Sequence, residues 1–493
     1  MRNIVKFKLL SILALASITS LFANDSTRSF FSVRPFYDTL TSQNLMMDQE
    51  HGMGKVDKKR NLQLNAFMSH STEPEKLARY FFQGKNVLLV NETAPNGDNT
   101  LEMQQDILAQ DFNIIVGDGQ DVADFTSQIT IAPRQRIYGG SLSLRAYMGE
   151  KKQWSWAIEV PVVFVNNDLQ LVEDMGGATF IPQAATHLDN QPVVASMKDA
   201  FRQKGMLYGK IDGAQKSKGL GNVVVKLGYE PCSFCTMDDK YMNTYVGLVL
   251  PTDNKPKAEY MFEPMRGNNG HFGLMMGTSL ESLMRAGKEI NFWSRWNIES
   301  RYLFENTQKR SFDLLVNGVW SRYLSMFENA VKAAAAEPTF GINLLTRDAK
   351  VRPGYQCKID AAFCVAGEKW HASIGSTTFA HQAEKIKLAQ EWTQSPYIAA
   401  YLAGNGTNRT RQSGREYLGN NLDGQDVAIK ESDLDLDSAA HPAAISQMIY
   451  ATLGGYRESE KPCMYEIGAS YEFSCMNTSL NRWGVWATLQ SSF

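Results

Sequence analysis

Three places in the chain carry residue types at spacings that could do chemistry. His371 and Ser373 lie two apart, so on a β-strand they share a face. An imidazole beside a hydroxyl is the arrangement in which a base activates a nucleophile. Cys232 and Cys235 have redox or zinc spacing, but no second pair follows at a zinc-ribbon distance and no βαβ pattern surrounds them. They read as a local disulfide or as two free thiols in a turn. The acidic run from Glu431 to Asp437 could offer oxygens to Ca²⁺, yet it lacks the glycine-containing spacing of a dedicated loop and reads as solvated. The chain shows no phosphate-binding glycine loop, zinc signature or dinucleotide fingerprint. The expected cofactor and metal complement is none.

The elements that must position these residues are set by length and hydropathy. The chain has 493 residues, of which 43% are hydrophobic. Its mean hydropathy of −0.31 says that polar and apolar residues are interleaved. Beyond the start, no run approaches the ~20 apolar residues of a transmembrane helix. Only helices and closed barrels satisfy every backbone group in lipid, so a membrane protein of this composition must be a barrel. Residues 1–23 read as a signal peptide: Arg2, Lys6 and Lys8 precede the apolar stretch Leu9–Phe22, with cleavage expected after Ala23. Loss of those three cations takes the formal charge from −2 to −5, too mild to imply nucleic-acid binding. Export places the six cysteines in an oxidising compartment. Cys357 and Cys364 differ by an odd number on one strand and point to opposite faces. Cys463 and Cys475 would stand ~40 Å apart at ~3.3 Å per residue. Neither pair can bridge.

Residues 24–59 read as an extended segment that could tuck into a lumen. Period-two alternation then marks strands at 61–68, 141–148, 154–165, 222–230, 241–250, 271–284, 289–304, 354–365, 370–385, 443–456, 463–475 and 483–493. A short helix is expected within 194–208. The connections sort by length. Those at 149–153, 231–240, 285–288, 366–369 and 457–462 are short, while of the five that alternate with them 166–221, 251–270, 305–353 and 386–442 are long and 476–482 is short. Outer-membrane barrels alternate short periplasmic turns with long extracellular loops, and a soluble multi-sheet protein offers no reason to do so. The expectation is an all-β, closed antiparallel transmembrane barrel of about 12 strands spanning residues 60–493, or 14 if a long loop hides a further hairpin.

The two strand faces divide by chemistry. Ile290, Phe292, Trp296, Ile298, Tyr302 and Phe304 oppose Asn291, Arg295, Asn297, Glu299 and Arg301. Charges at mid-bilayer cost ~2–4 kcal/mol for Arg or Lys, so the polar face belongs to the lumen. The expected pore lining is Arg145, Lys226, Arg295, Arg301 and Lys358 with Glu159, Glu230, Glu281, Glu299, Asp360, Glu466 and Glu472. This set is nearly balanced, so strong ion selectivity is not expected. A hydrophilic pore and a packed polar interior both fit, and the bore decides between them. Aromatics gather at strand ends (Trp154, Trp156 and Phe164; Trp296, Tyr302 and Phe304; Trp483), as interface girdles would.

The last strand carries the resemblance. Trp483, Val485, Ala487 and Leu489 alternate with Gly484, Trp486, Thr488, Gln490 and Ser492, and the strand ends on Phe493. This resembles bacterial outer-membrane β-barrels, in which such a strand ending in Phe serves as an assembly signal. Gly219-Leu-Gly-Asn-Val223 and Val249-Leu-Pro-Thr252 resemble fatty-acid-channel and aromatic-compound transporter barrels. The resemblance implies an outer-membrane location, outer-membrane lipid and the barrel assembly machinery as partners, and passive diffusion of small solutes without catalysis. A non-conducting surface barrel with adhesive loops is the second reading. The third is an outer-membrane lipid hydrolase, because the His371–Ser373 pair resembles that of outer-membrane phospholipases. There the family's following Asn-Gly is replaced by Ile374-Gly375.

Overall fold

The computed structural model describes residues 26–40, 60–91, 106–115, 125–149, 153–177, 179–181, 186–230, 240–287, 289–315, 317–326, 338–392, 429–457 and 463–492. Residues 1–23, expected as a signal peptide, and Cys232, Cys235 and Phe493 lie outside these residues. Twelve strands form the wall: β1 Arg60–Thr72, β2 Arg134–Met148, β3 Trp154–Asp168, β4 Val223–Tyr229, β5 Lys240–Leu250 and β6 Gly273–Ala286. They continue as β7 Asn291–Leu303, β8 Gly354–Ala366, β9 Trp370–His381, β10 Ala444–Arg457, β11 Cys463–Phe473 and β12 Asn481–Ser492. Each pairs antiparallel with its sequence neighbour. β12 returns to β1 in a continuous register from Asn61 opposite Ser492 to Thr72 opposite Asn481, which closes the barrel. Closure leaves no strand edge unpaired in hydrocarbon, the condition a membrane-spanning sheet must meet.

The pleat assigns the faces. Along β12, Val485, Ala487 and Leu489 are exposed, while Gly484, Trp486, Thr488 and Gln490 are buried. On β8, Tyr355, Cys357 and Phe363 are exposed, and Lys358, Asp360 and Cys364 are buried. Cys357 and Cys364 are both free, as are Cys463 and Cys475. Outward aromatics form two belts. Trp154 and Tyr229 pack together at the short-turn end, and Tyr138 stacks on Phe164 near the long-loop end. Ten residues separate Trp154 from Phe164 on one strand. That is ~33 Å of strand, or about 25 Å along the axis at ~40° of tilt, the height of an outer-membrane apolar band. Trp296 departs from the expectation: it lies opposite Leu280 and Ala361 at mid-strand, so it belongs to the apolar band and not to a girdle.

At the long-loop end the connections pack into one cap. Its core joins Phe31, Phe81, Phe112, Phe201, Phe262, Trp320, Tyr323 and Leu480, contributed by five different connections and the N-terminal segment. Phe112 and Tyr323 rings are 5.1 Å apart, and Trp320 Nε1 donates to the Phe81 carbonyl at 2.8 Å. A second core around Phe312, Leu345, Val351 and Leu434 lies beside it. Inside the cap the helix expected over 194–208 is a single turn, Met197–Ala200. Gln203 ends it by donating to the carbonyls of Ala200 and Phe112. Packing Phe201 and Met206 into the shared core overrides the local preference.

Two wall segments exceed the alternation visible in the sequence. β2 begins at Arg134, seven residues before 141, and a strand at Gln215–Leu220 pairs with the upper part of β3. In both, outward Arg or Lys replaces the expected apolar residue.

Ile374 and Ile181 are equally exposed, at 65% and 70%, but only Ile374 lies on the apolar band. Ile374→Arg is expected to destabilise the barrel in lipid by about 2–4 kcal/mol and Ile181→Arg by less than about 0.5. Denaturant unfolding in vesicles measures both, and equal effects would refute the face assignment.

Candidate functional site: the barrel lumen and the segment inside it

The inner wall is built from the alternate residues that the pleat turns away from lipid. Of the twelve charged residues expected to line it, ten are buried, and Glu159 and Lys226 are half-buried. They meet in clusters. Near the short turns, Arg145 Nη2 lies 3.8 Å from Glu230, which accepts from Tyr241 Oη at 2.6 Å. At mid-height Asp360 accepts from Thr377 at 2.6 Å and from Tyr450 at 3.0 Å. Arg295 stands beside Glu281 in register and makes no direct hydrogen bond with any described residue. Higher up, Glu299 gathers Arg301 at 2.8 Å, Lys358 at 3.3 Å and Tyr245 Oη at 2.8 Å. Glu472 is held by Arg482 at 2.7 Å and by Ser446 at 2.6 Å. Unpaired charges would be prohibitive in so enclosed a space, and these clusters neutralise most of them.

Residues 26–40 run from the cap into this polar interior. Phe31 is part of the cap core, and Ser29 N donates to the Ser438 carbonyl at 2.8 Å. Below it, Arg34 reaches Glu472 at 3.4 Å. Asp38 takes two bonds from Arg301, at 2.6 and 3.1 Å. Burial alone would raise the Asp38 carboxyl, and the Arg301 guanidinium outweighs it, holding the group below its ordinary range. Phe36 lies against Gly484, where a Cβ would collide with its ring, and Tyr37 occupies the same kind of space at Gly221. Tyr37 Oη also accepts from Asn222 N at 2.8 Å. The cavity beside the segment, lined by Arg34, Phe379, Glu472 and Arg482, holds about 50 Å³. That is space for a few waters and not for a solute.

The residues singled out for chemistry are spent elsewhere. His371 Nε2 lies 3.3 Å from Glu466, and Ser373 Oγ shares a 2.6 Å bond with Thr452. Both are buried on the lumen side, away from any lipid ester. In the acidic run, Glu431, Asp433 and Asp435 accept from the backbone N–H groups of Trp392, Lys430 and Ser438. Among the described residues no group of three ligating side chains is placed to hold a metal. Tyr245 and Arg482 were not singled out as lumen residues. Arg34 and Asp38 lie in the segment 24–59, expected as a whole to reach the lumen, but without periodicity to say which of its residues would meet the wall.

The closed wall, the two aromatic belts and the charged interior together define a transmembrane β-barrel of the bacterial outer-membrane type. No protein-family model matches the chain, and no curated protein matches it in sequence. Among solved structures it is similar to an outer-membrane channel from Pseudomonas putida F1, at 7% identity over 89% of this chain and 97% of that one, with a TM-score of 0.39. It is also similar to the toluene transporter of Pseudomonas putida (8% identity, 95% and 96% coverage, TM-score 0.31). A third is the beta domain of a Bordetella autotransporter (7%, 88% and 100%, TM-score 0.32). The barrel assignment itself rests on this chain's own strand pairing.

Two measurements test the arrangement inside the lumen. Gly484→Leu is expected to push Phe36 off the wall and expose residues 30–40 to protease while the barrel stays folded; unchanged protection would refute the contact. The second concerns His271, whose burial holds it at about 4, against an ordinary 6.5. The unfolded chain then binds a proton that the folded one refuses, so stability falls as pH drops from about 6.5 toward 4. The expected loss at pH 5 is on the order of 2 kcal/mol, read by amide exchange around 269–271. His271→Gln should flatten that profile.

Proposed function

We propose that the protein is an outer-membrane channel for small solutes whose path residues 26–40 hold shut in this conformation. One observation carries the reading: the segment is not part of the wall, and removing it strands no wall charge. Arg301 keeps Glu299 when Asp38 leaves, and Glu472 keeps Arg482 when Arg34 leaves. Breaking a buried pair usually costs several kcal/mol because one charge is left alone, and these doubled pairs lower that cost. A barrel of twelve strands lies between the eight that fill with side chains and the sixteen that leave an aqueous channel. A segment of this size therefore suffices to close it. With the segment withdrawn, both signs of charge line the wall, which supports passage of small polar solutes with little ion selectivity. The buried His371 and Ser373, each on another partner, give no support to lipid hydrolysis.

Planar-bilayer recording of the refolded chain tests this. The wild type should be mostly closed. Asp38→Asn with Arg34→Gln should raise the open fraction at least about tenfold, because each lost ion pair biases the two states by more than 1 kcal/mol. Silence in that variant and in one lacking residues 26–40, with heat-modifiable folding retained, would refute the channel and leave a surface barrel whose cap does the work.

A further inference from the structure

The outer face of the barrel carries a groove that neither the lumen nor the cap accounts for. Its upper part runs across five neighbouring chain segments at the long-loop end. In register, Trp483 on β12 faces His70 on β1, His70 faces Arg136 on β2, Arg136 faces Asn166 on β3, and Asn166 faces Lys216. One row toward the membrane come Met68, Tyr138, Phe164 and Lys218. Arg134, Arg136, Lys216 and Lys218 are all exposed on the outward side. None of the four makes an ion pair with a described residue. One carboxylate, Asp168, shares the face; it lies opposite Arg134 and accepts from the Gln170 N–H.

Arg134 and Arg136, like Lys216 and Lys218, are next-but-one neighbours on one strand face, and no carboxylate faces Arg136, Lys216 or Lys218 across the sheet. Strands lie ~4.8 Å apart, which makes the patch about 10 Å wide from Arg136 to Lys216. It stands just beyond the Tyr138–Phe164 stack, at 5.0 Å between rings, at the height where the headgroups of the leaflet meet the barrel.

Below that row the wall turns concave and apolar. Ala66 faces Ala487, and Ala451 faces Ala469. These small residues, with Gly468, floor a groove between the taller Phe164, Leu453 and Val485. The apolar groove measures about 990 Å³ and the basic one about 830 Å³, and Met68, Tyr138 and Phe164 line both. Both are open toward the lipid rather than enclosed. A continuous site with cations at the leaflet surface and a recess for acyl chains beneath fits one molecule: an anionic lipid with several acyl chains and more than one phosphate.

We infer that this face binds a phosphorylated, multiply acylated glycolipid of the outer leaflet, of the lipopolysaccharide type. The inference rests on the outer-membrane reading, with the cap outside. A second copy of the chain fits less well, because a two-fold interface would set the basic row against itself.

The test uses the full chain refolded in neutral detergent and titrated with bis-phosphorylated lipid A, its dephosphorylated form and phosphatidylglycerol, with complexes counted by native mass spectrometry. The expected result is one lipid A per barrel, binding weakened by added salt. Removing the phosphates, or Arg136→Gln, Lys216→Gln and Lys218→Gln together, should weaken it at least about tenfold. Ala66→Phe, which fills the recess without touching charge, should also weaken it. Heat-modifiable migration shows that each variant is folded. Equal binding by the triple variant, phosphatidylglycerol binding as tightly as lipid A, or a dimer that occludes the face would each overturn the site. The assay needs no conductance. Loss of specific binding in a conducting barrel overturns the lipid site alone, whereas a silent barrel that binds lipid A supports the site and overturns the channel.

Discussion

The pairing of β12 with β1 is the constraint on which everything else depends. In hydrocarbon an unsatisfied N–H or C=O has no water to turn to, so a sheet can cross a membrane only if its first and last strands meet. Closure in register forces the pleat to divide every strand into a lipid side and a lumen side. One face must then be apolar over about 25 Å, and polar chemistry is confined to the inside, to the cap, or to the headgroup level. The three places where charge collects in this protein follow from that partition.

Within the lumen, twelve strands create a space too small to leave charges solvated and too large to fill with wall side chains alone. The wall meets this with carboxylates that each serve two cations or hydroxyls, as Glu299 and Glu472 do. The N-terminal segment supplies the remaining volume, with its aromatics against inward glycines and its charges added to pairs already complete. That is a different kind of contact from the cap, where Phe31 joins a continuous aromatic core. The segment is thus anchored by burial at its upper end and by redundant electrostatics at its lower end.

Much of this was legible before folding. Strand positions, their number, the sorting of short and long connections and the inward placement of Arg295, Glu299, Lys358 and Glu466 all follow from a period of two read against the cost of charge in lipid. The reading stopped where that cost no longer applies. Above the aromatic belt Arg134-Gln-Arg136 and Lys216-Ser-Lys218 still alternate, but with outward cations, so the upper wall did not register as strand. Trp296 looked like a girdle residue because residue type alone does not report depth.

The sequence by itself determined the barrel, because alternation is a local property and each strand's two faces meet environments of opposite polarity. The sequence pointed to residues 24–59 as a segment that could enter the lumen, but only the tertiary structure decided which of its residues meet the wall and what the loops become. Asp38 meets Arg301 across 263 positions of chain, and the cap core joins residues from Phe31 to Leu480. Neither contact has a periodicity to announce it. Both arise because closing the barrel brings distant segments to one end, where burying their aromatics and pairing their charges is favourable only once the wall is in place.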